Sequence, residues 1–419
     1  MCYFAVQGGQ TLRGEVPISG AKNSVLPILA ATLLNGGRNL LHNCPDLRDV
    51  RSAIRILEHL GCRVTRTGSD ILVDSTVVDR WDVPRELMLE MRSSVIFLGP
   101  ILARCGRARL SLPGGCEIGQ RPIDLHLSAL QRLGADIREQ GGDILCQARE
   151  LHGRDVVLSF PSVGATENAM LAATACPGVT RVINAAREPE IADLQEFLRK
   201  AGARVQGGGE SVLTLWGDMP RRDVEHTILP DRIETATFLC AAAACGGEIT
   251  LTGAEPEHVH TVIQALREAG CTIGISGRSI TLRAQEPPGS MSTVRTMPYP
   301  GFPTDAQAPL MAAAAAGRGS VMFVETIFEN RFRHVGELAR MGADIRVNGR
   351  TALVCGRPLH GARVRSTDLR GGAALVVAAL AARGESIIED IYHIDRGYEH
   401  LAEKLTGLGA DIRRVEDEE

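Results

Sequence analysis

Two apolar patterns alternate along the 419 residues. In the first, hydrophobic positions recur at helical spacing on one face, as in VRSAIRILEHL, DLQEFLRKA and ELARM. Each such run ends in the same short phrase: Leu60-Gly-Cys-Arg-Val64, Leu133-Gly-Ala-Asp-Ile137, Ala201-Gly-Ala-Arg-Val205, Ala269-Gly-Cys-Thr-Ile273, Met341-Gly-Ala-Asp-Ile345 and Leu408-Gly-Ala-Asp-Ile412. The phrase predicts a helix stopped by a left-handed glycine, then a β-branched strand. The second pattern is an alanine-rich, almost uncharged helix followed by glycine and a strand. Its six copies are LPILAATLLNGG, IFLGPILARCG, NAMLAATACPG, TATFLCAAAACGG, APLMAAAAAGRG and ALVVAALAARG. A helix apolar on every side must be surrounded, so these six belong inside a core, with sheets as cover.

The glycines of the first phrase, at 61, 134, 202, 270, 342 and 409, are 73, 68, 68, 72 and 67 residues apart. Units of this size are too large for a thin solenoid, and 419 residues are too many for one core. Two α/β domains of three units each are expected. The resemblance of Gly14-Glu-Val-Pro-Ile-Ser-Gly-Ala-Lys-Asn23 to the lead-in His226-Thr-Ile-Leu-Pro-Asp-Arg232 suggests how they divide. Residues 21–229 form one domain; residues 1–20 join 230–419 in the other. Two chain crossings and a ligand cleft between the domains follow.

Hydrophobic residues make up 44% and charged residues 23%, the mix of a folded globular protein. A net charge of −4 and isolated Trp81 and Trp216 give neither the field nor the stacking platform for nucleic acid. No run has the length and apolarity of a membrane span, and MCYFAVQGGQ lacks the layout of a secretory signal. The eleven cysteines are scattered without a CxxC, which reads as reduced thiols in a cytoplasmic enzyme. His258 and His260, two apart, lack a third neighbour in sequence, so no metal site is expected.

One cysteine has a context that asks for chemistry. Ser111-Leu-Pro-Gly-Gly-Cys-Glu-Ile-Gly-Gln-Arg-Pro-Ile-Asp-Leu-His126 is a glycine-rich loop with a thiol, Cys116, and an arginine five residues later. Such an arginine stabilises a thiolate, and a loop of this composition can open and close. On composition alone, a cysteine packed beside a turn fits as well.

SGAKN at 19–23, PGGCEIGQRPIDLH at 113–126, PYPGFPTDAQ at 298–307, ETIFENRF at 325–332 and YHIDRGY at 392–398 together resemble the UDP-N-acetylglucosamine enolpyruvyl transferases, over nearly the whole chain. The resemblance implies two inside-out α/β barrels, with helices inside and sheets outside. It implies transfer of enolpyruvate from phosphoenolpyruvate to the sugar 3-hydroxyl of UDP-N-acetylglucosamine, the committed step of peptidoglycan synthesis, with no cofactor. Protein partners are not implied. Cys116 matches the general acid of the mobile loop, the target of the epoxide fosfomycin. Asp305 matches the carboxylate set against the sugar hydroxyl, although an aspartate there also suits a helix N-cap. Lys22, Arg121, Arg370 and Arg396 match the cations around phosphoenolpyruvate, Lys22 and Arg396 being assigned to catalysis as well, and Asn23 helps to position both substrates. For the nucleotide sugar the resemblance implies Arg92, Arg121, Pro122, Ile123, Asp124, Leu125, Ser162, Val163, Gly164, Asp305 and Ile327. Glu329 and Arg331 are expected to shape the cleft.

Glu117 departs from the small neutral residue common after the cysteine, and Phe160-Pro161 from a more polar approach to Ser162. A carboxylate pointing inward at 117 would raise the thiol pKa. Two rivals remain: a shikimate-pathway enolpyruvyl transferase with the same fold, and a catalytically weak UDP-sugar-binding regulator.

Overall fold

The computed structural model describes residues 2–91, 93–111, 123–148, 150–217, 219 and 222–416. Arg92, Cys116, Glu117, Arg121 and Pro122 lie outside them. The described residues divide into two compact units. One comprises residues up to 19 and from 230 onward; the other comprises 20–111 and 123–229.

In the unit from residue 20 to 229, the helices Lys22–Asn35, Leu98–Cys105 and Val163–Ala173 pack on one another. Their apolar positions, including Ile28, Leu29, Ile101, Leu102, Met170 and Leu171, are fully buried. Three four-stranded sheets cover them. Their strands alternate buried and half-buried positions, as Asp70–Asp74 does and Asp143–Ala148 does over most of its length, so each sheet turns one face to the helices. Each sheet repeats one scheme: a parallel outer pair, then two antiparallel pairings. Just before the second unit, Val224–Thr227 pairs in parallel with Arg38–His42 and completes a sheet.

The second unit follows the same plan around the helices Arg232–Cys245, Thr304–Ala315 and Leu369–Ala381. Its amphipathic helices, such as His260–Glu268 and Val335–Arg340, each bury one side only. Two of its sheets take strands from the start of the chain. Leu12–Pro17 pairs with Gly247–Thr252, and Cys2–Gln7 lies between Glu385–Glu389 and Asp411–Glu416. Both units are therefore α/β barrels with helices inside and sheets outside. The six phrase glycines behave as their positions require, with φ between +90° and +105°, where any side chain is strained.

Candidate functional site

In the unit containing residues 230–419, the site is built on two central helices. Asp305 is the second residue of helix Thr304–Ala315, whose N-cap is Pro303 with no side-chain cap bond. The aspartate is thus not spent on capping. It instead faces two buried guanidinium groups: Arg331 donates to Oδ1 at 2.6 Å and Arg370 to Oδ2 at 3.4 Å. Arg331 also donates to the Thr304 carbonyl at 3.3 Å and lies over the Phe328 ring at 5.4 Å.

The segment carrying Arg331 is itself pinned. Glu325, buried, accepts from the Thr296 hydroxyl and the Ile327 and Phe328 amides through Oε1, and from the Thr304 hydroxyl through Oε2. One carboxylate thereby sets both the start of the Asp305 helix and the turn bearing half-buried Ile327. Glu329, in the same motif, makes an exposed ion pair with Arg350 at 3.4 Å.

Arg370 sits in the first turn of helix Leu369–Ala381, capped by Asp368, which accepts from the Arg370 and Gly371 amides at 3.0 Å each. Burial pulls the Arg370 pKa down, but Asp305, Tyr398 and Asp231 outweigh it, leaving it above the usual arginine value. The guanidinium lies 5.4 Å from the Tyr398 ring centre, and Tyr398 exchanges a hydrogen bond with Thr237 at 2.8 Å. His334 is fully buried beside Arg331 and Asp368; burial pushes its pKa down to about 4, against the pull of Asp368, so it is neutral. Arg396, half-buried, ends the 3-10 helix Ile391–Arg396.

The other unit places a second cluster at a helix start. Lys22 opens helix Lys22–Asn35 and pairs with fully buried Asp49 at 2.7 Å. Asn23 beside it is half-buried. The next residue, Ser24, donates its hydroxyl to Asp193, which also accepts from His226 Nε2 at 3.0 Å and the Leu229 amide at 3.3 Å. The Lys22–Ser24 turn is therefore held by two carboxylates. Farther along, Asp124 is the first residue of helix Asp124–Arg132, following half-buried Ile123; Asp124 is exposed and Leu125 half-buried. Ser162 caps helix Val163–Ala173 by accepting from the Ala165 amide at 3.4 Å. Val163 and Gly164 are thus the first helical residues, and their amides belong to the electropositive end.

Sequence reasoning singled out Lys22, Asp305 and Arg370 but missed Asp49, Asp193, Glu325 and Asp368. It also took Arg331 for support, whereas that side chain is a direct partner of Asp305. The only available signal was that Glu325 and Arg331 sit in the quoted ETIFENRF motif. Among the described cysteines, burial pushes Cys44, Cys62, Cys146, Cys176 and Cys245 up to about 12, where a thiolate is scarce at neutral pH. Among the described residues no cluster of His, Cys, Asp or Glu has metal-ligating geometry, and no helix is long and apolar enough to cross a membrane.

The family model described as EPSP synthase (3-phosphoshikimate 1-carboxyvinyltransferase) matches residues 6–405. UDP-N-acetylglucosamine 1-carboxyvinyltransferase 2 of Caldanaerobacter subterraneus subsp. tengcongensis is 48% identical over 98% of this chain and 99% of its own. UDP-N-acetylglucosamine 1-carboxyvinyltransferase 1 of Symbiobacterium thermophilum is 52% identical over 98% of this chain and 95% of its own. Among solved structures, the enolpyruvyl transferase NikO from Streptomyces tendae superposes with a TM-score of 0.89 at 27% identity, covering 99% of both chains.

Proposed function

We infer the activity from one premise: the chain belongs to the EPSP synthase (3-phosphoshikimate 1-carboxyvinyltransferase) family. Within it, this chain is an enzyme that transfers enolpyruvate from phosphoenolpyruvate to the 3-hydroxyl of UDP-N-acetylglucosamine and releases phosphate, in peptidoglycan synthesis. The observation that carries this reading is identity of about half, over nearly the full length, to transferases named for that acceptor. Residues 21–229 and 1–20 with 230–419 act as its two domains.

The chemistry divides between residues as follows. The sugar oxygen bonds to C2 of phosphoenolpyruvate while a proton goes to C3, giving a tetrahedral ketal. Loss of a C3 proton and of phosphate then restores the double bond. Asp305, its charge matched by Arg331 and Arg370, accepts a hydrogen bond from the 3-hydroxyl and takes its proton as the C–O bond forms. Cys116 donates the C3 proton. Lys22 and Arg121 hold the phosphate, while Arg370 and Arg396 hold the carboxylate. Lys22 is suited to this because Asp49 fixes its ammonium in place. The Val163 and Gly164 amides favour the diphosphate, and Asp124 and Leu125 the uracil. Arg92, Pro122, Ile123, Ser162, Asn23 and Ile327 complete the acceptor contacts. The reaction is assigned to the cytoplasm, in keeping with eleven scattered cysteines that contain no CxxC.

Phosphate release from phosphoenolpyruvate, measured with UDP-N-acetylglucosamine, with shikimate 3-phosphate, and with a Cys116→Ala variant, tests the reading. Release with the nucleotide sugar alone, lost in the variant, is expected. Release with shikimate 3-phosphate instead would reassign the acceptor, and sugar binding without turnover would make the chain a regulator.

A further inference from the structure

The quoted RPIDLH motif ends in His126, for which the proposed reaction has no use, yet this side chain is buried and its surroundings fix its chemistry. Asn168, fully buried on helix Val163–Ala173, accepts from the Gly99 amide through Oδ1 at 2.7 Å and donates from Nδ2 to the Val95 carbonyl at 3.0 Å. Backbone groups cannot exchange roles. Turning the amide over would set oxygen against oxygen and N–H against N–H, so its orientation is determined. The second Nδ2 hydrogen then points to His126 Nδ1, 2.7 Å away. That nitrogen must offer a lone pair, which an imidazolium lacks. The ring is therefore neutral, with its proton on Nε2.

The Cε1–Nε2 edge of the ring meets the first turn of helix Val163–Ala173. A Cβ added at Gly164 would lie 2.8 Å from His126 Cε1 and 3.1 Å from Nε2, so glycine is what lets the ring in. Three helices meet at the His126–Asn168 pair: Leu98–Cys105 through Gly99, Asp124–Arg132 through His126, and Val163–Ala173 through Asn168 and Gly164.

We propose that His126 is a positioning residue for the nucleotide sugar: locked by Asn168 as the Nε2–H tautomer, its ring sets the spacing between the Asp124–Leu125 segment and the Ser162–Gly164 helix start. This rests on the reading above that these two segments hold the acceptor. The reacting atoms are handled elsewhere, so His126 governs acceptor affinity and not the chemical step.

The test uses the full-length protein labelled with 15N-histidine. At neutral pH, His126 Nδ1 should be unprotonated and Nε2 protonated; a protonated Nδ1 overturns the lock. Adding UDP-N-acetylglucosamine should shift the His126 resonances, whereas phosphoenolpyruvate alone should not; no shift with the sugar overturns the positioning role. In His126→Asn, whose Oδ1 can still accept from Asn168, the KM for UDP-N-acetylglucosamine should rise about tenfold, while kcat and the KM for phosphoenolpyruvate stay within about twofold. Unchanged kinetics in a folded variant, or a fall in kcat alone, refutes the proposal. Asn168→Asp, which cannot donate, should move the proton to Nδ1. If His126→Asn does not fold, the two spectroscopic outcomes on the wild type decide. Absence of phosphate release by the wild type would sink the activity reading separately, because tautomer and sugar-induced shift are read without turnover.

Discussion

Replacing Arg331 by glutamine removes the shorter of the two guanidinium contacts to Asp305 and leaves Arg370 in place. The Arg331 side chain is 5% exposed and that of Asp305 28%, so the bond is screened only in part. A hydrogen bond of this charged type contributes about 1.5–3 kcal/mol. Arg370, at 3.4 Å from the other carboxylate oxygen, still compensates, which favours a loss near about 2 kcal/mol. If the full amount is expressed in positioning the 3-hydroxyl, kcat/KM falls about 30-fold. Stability should fall less, by about 1–2 kcal/mol, since Asp305 keeps contact with water. Phosphate-release kinetics and urea unfolding measure the two losses independently. The double variant with Asp305→Asn should be clearly non-additive, with a coupling of about 2 kcal/mol. A loss below about twofold for Arg331→Gln, or additive losses in the cycle, would refute the view that Arg331 acts through Asp305.

Asp49→Asn should free the Lys22 ammonium and raise the KM for phosphoenolpyruvate about tenfold, with the KM for the sugar little changed; equal effects on both would refute a phosphate role for Lys22. Glu167 is buried and its Oε1 has no hydrogen-bond partner among the described residues; burial first, then Glu190 and Glu188, raise its pKa well above the usual value. The folded state therefore holds this proton more tightly than the unfolded chain. Its contribution is greatest below the unfolded pKa and is lost as pH rises through the folded one. Glu167→Gln should accordingly melt higher than wild type by a margin that widens from about pH 5 to about pH 8, and a constant margin would count against this. Asp368 has the opposite sign: burial raises its pKa, but the Gly371 amide, the Arg331 charge and the Arg370 amide outweigh it and the net shift is downward. Its stabilising effect is present above the unfolded carboxyl pKa and is lost on acidification, so Asp368→Ala should cost about 1–2 kcal/mol at neutral pH and progressively less in acid.

What was legible in the sequence was local. A glycine stopping a helix and an alanine-rich helix needing burial on all sides each depend on a few adjacent residues, and both recur often enough to reveal the repeat. The site's partnerships are not of this kind. Asp305 meets Arg331 and Arg370 from 26 and 65 residues away, and Lys22 meets Asp49 only because helix Arg48–His59 packs on helix Lys22–Asn35. Motif resemblance picked out Lys22, Asp305 and Arg370 one at a time; their partners appear only when the chain is folded. Even the simplest local reading of Asp305, as an N-cap, fails because the helix starts two residues earlier than that reading requires.

The strand Cys2–Gln7 has a consequence for how the protein is made. Its neighbours on both sides are Glu385–Glu389 and Asp411–Glu416, which leave the ribosome last among the described strands. At roughly 5–20 residues per second, the interval between them is on the order of 20–80 s. Throughout that time a β-strand with Phe4, Ala5 and Val6, all buried in the finished protein, has no sheet to join. Residues 20–229 need no such wait, since all their strand partners lie among themselves. The nascent chain therefore carries a finished barrel between an unpaired N-terminal ribbon and an incomplete second barrel.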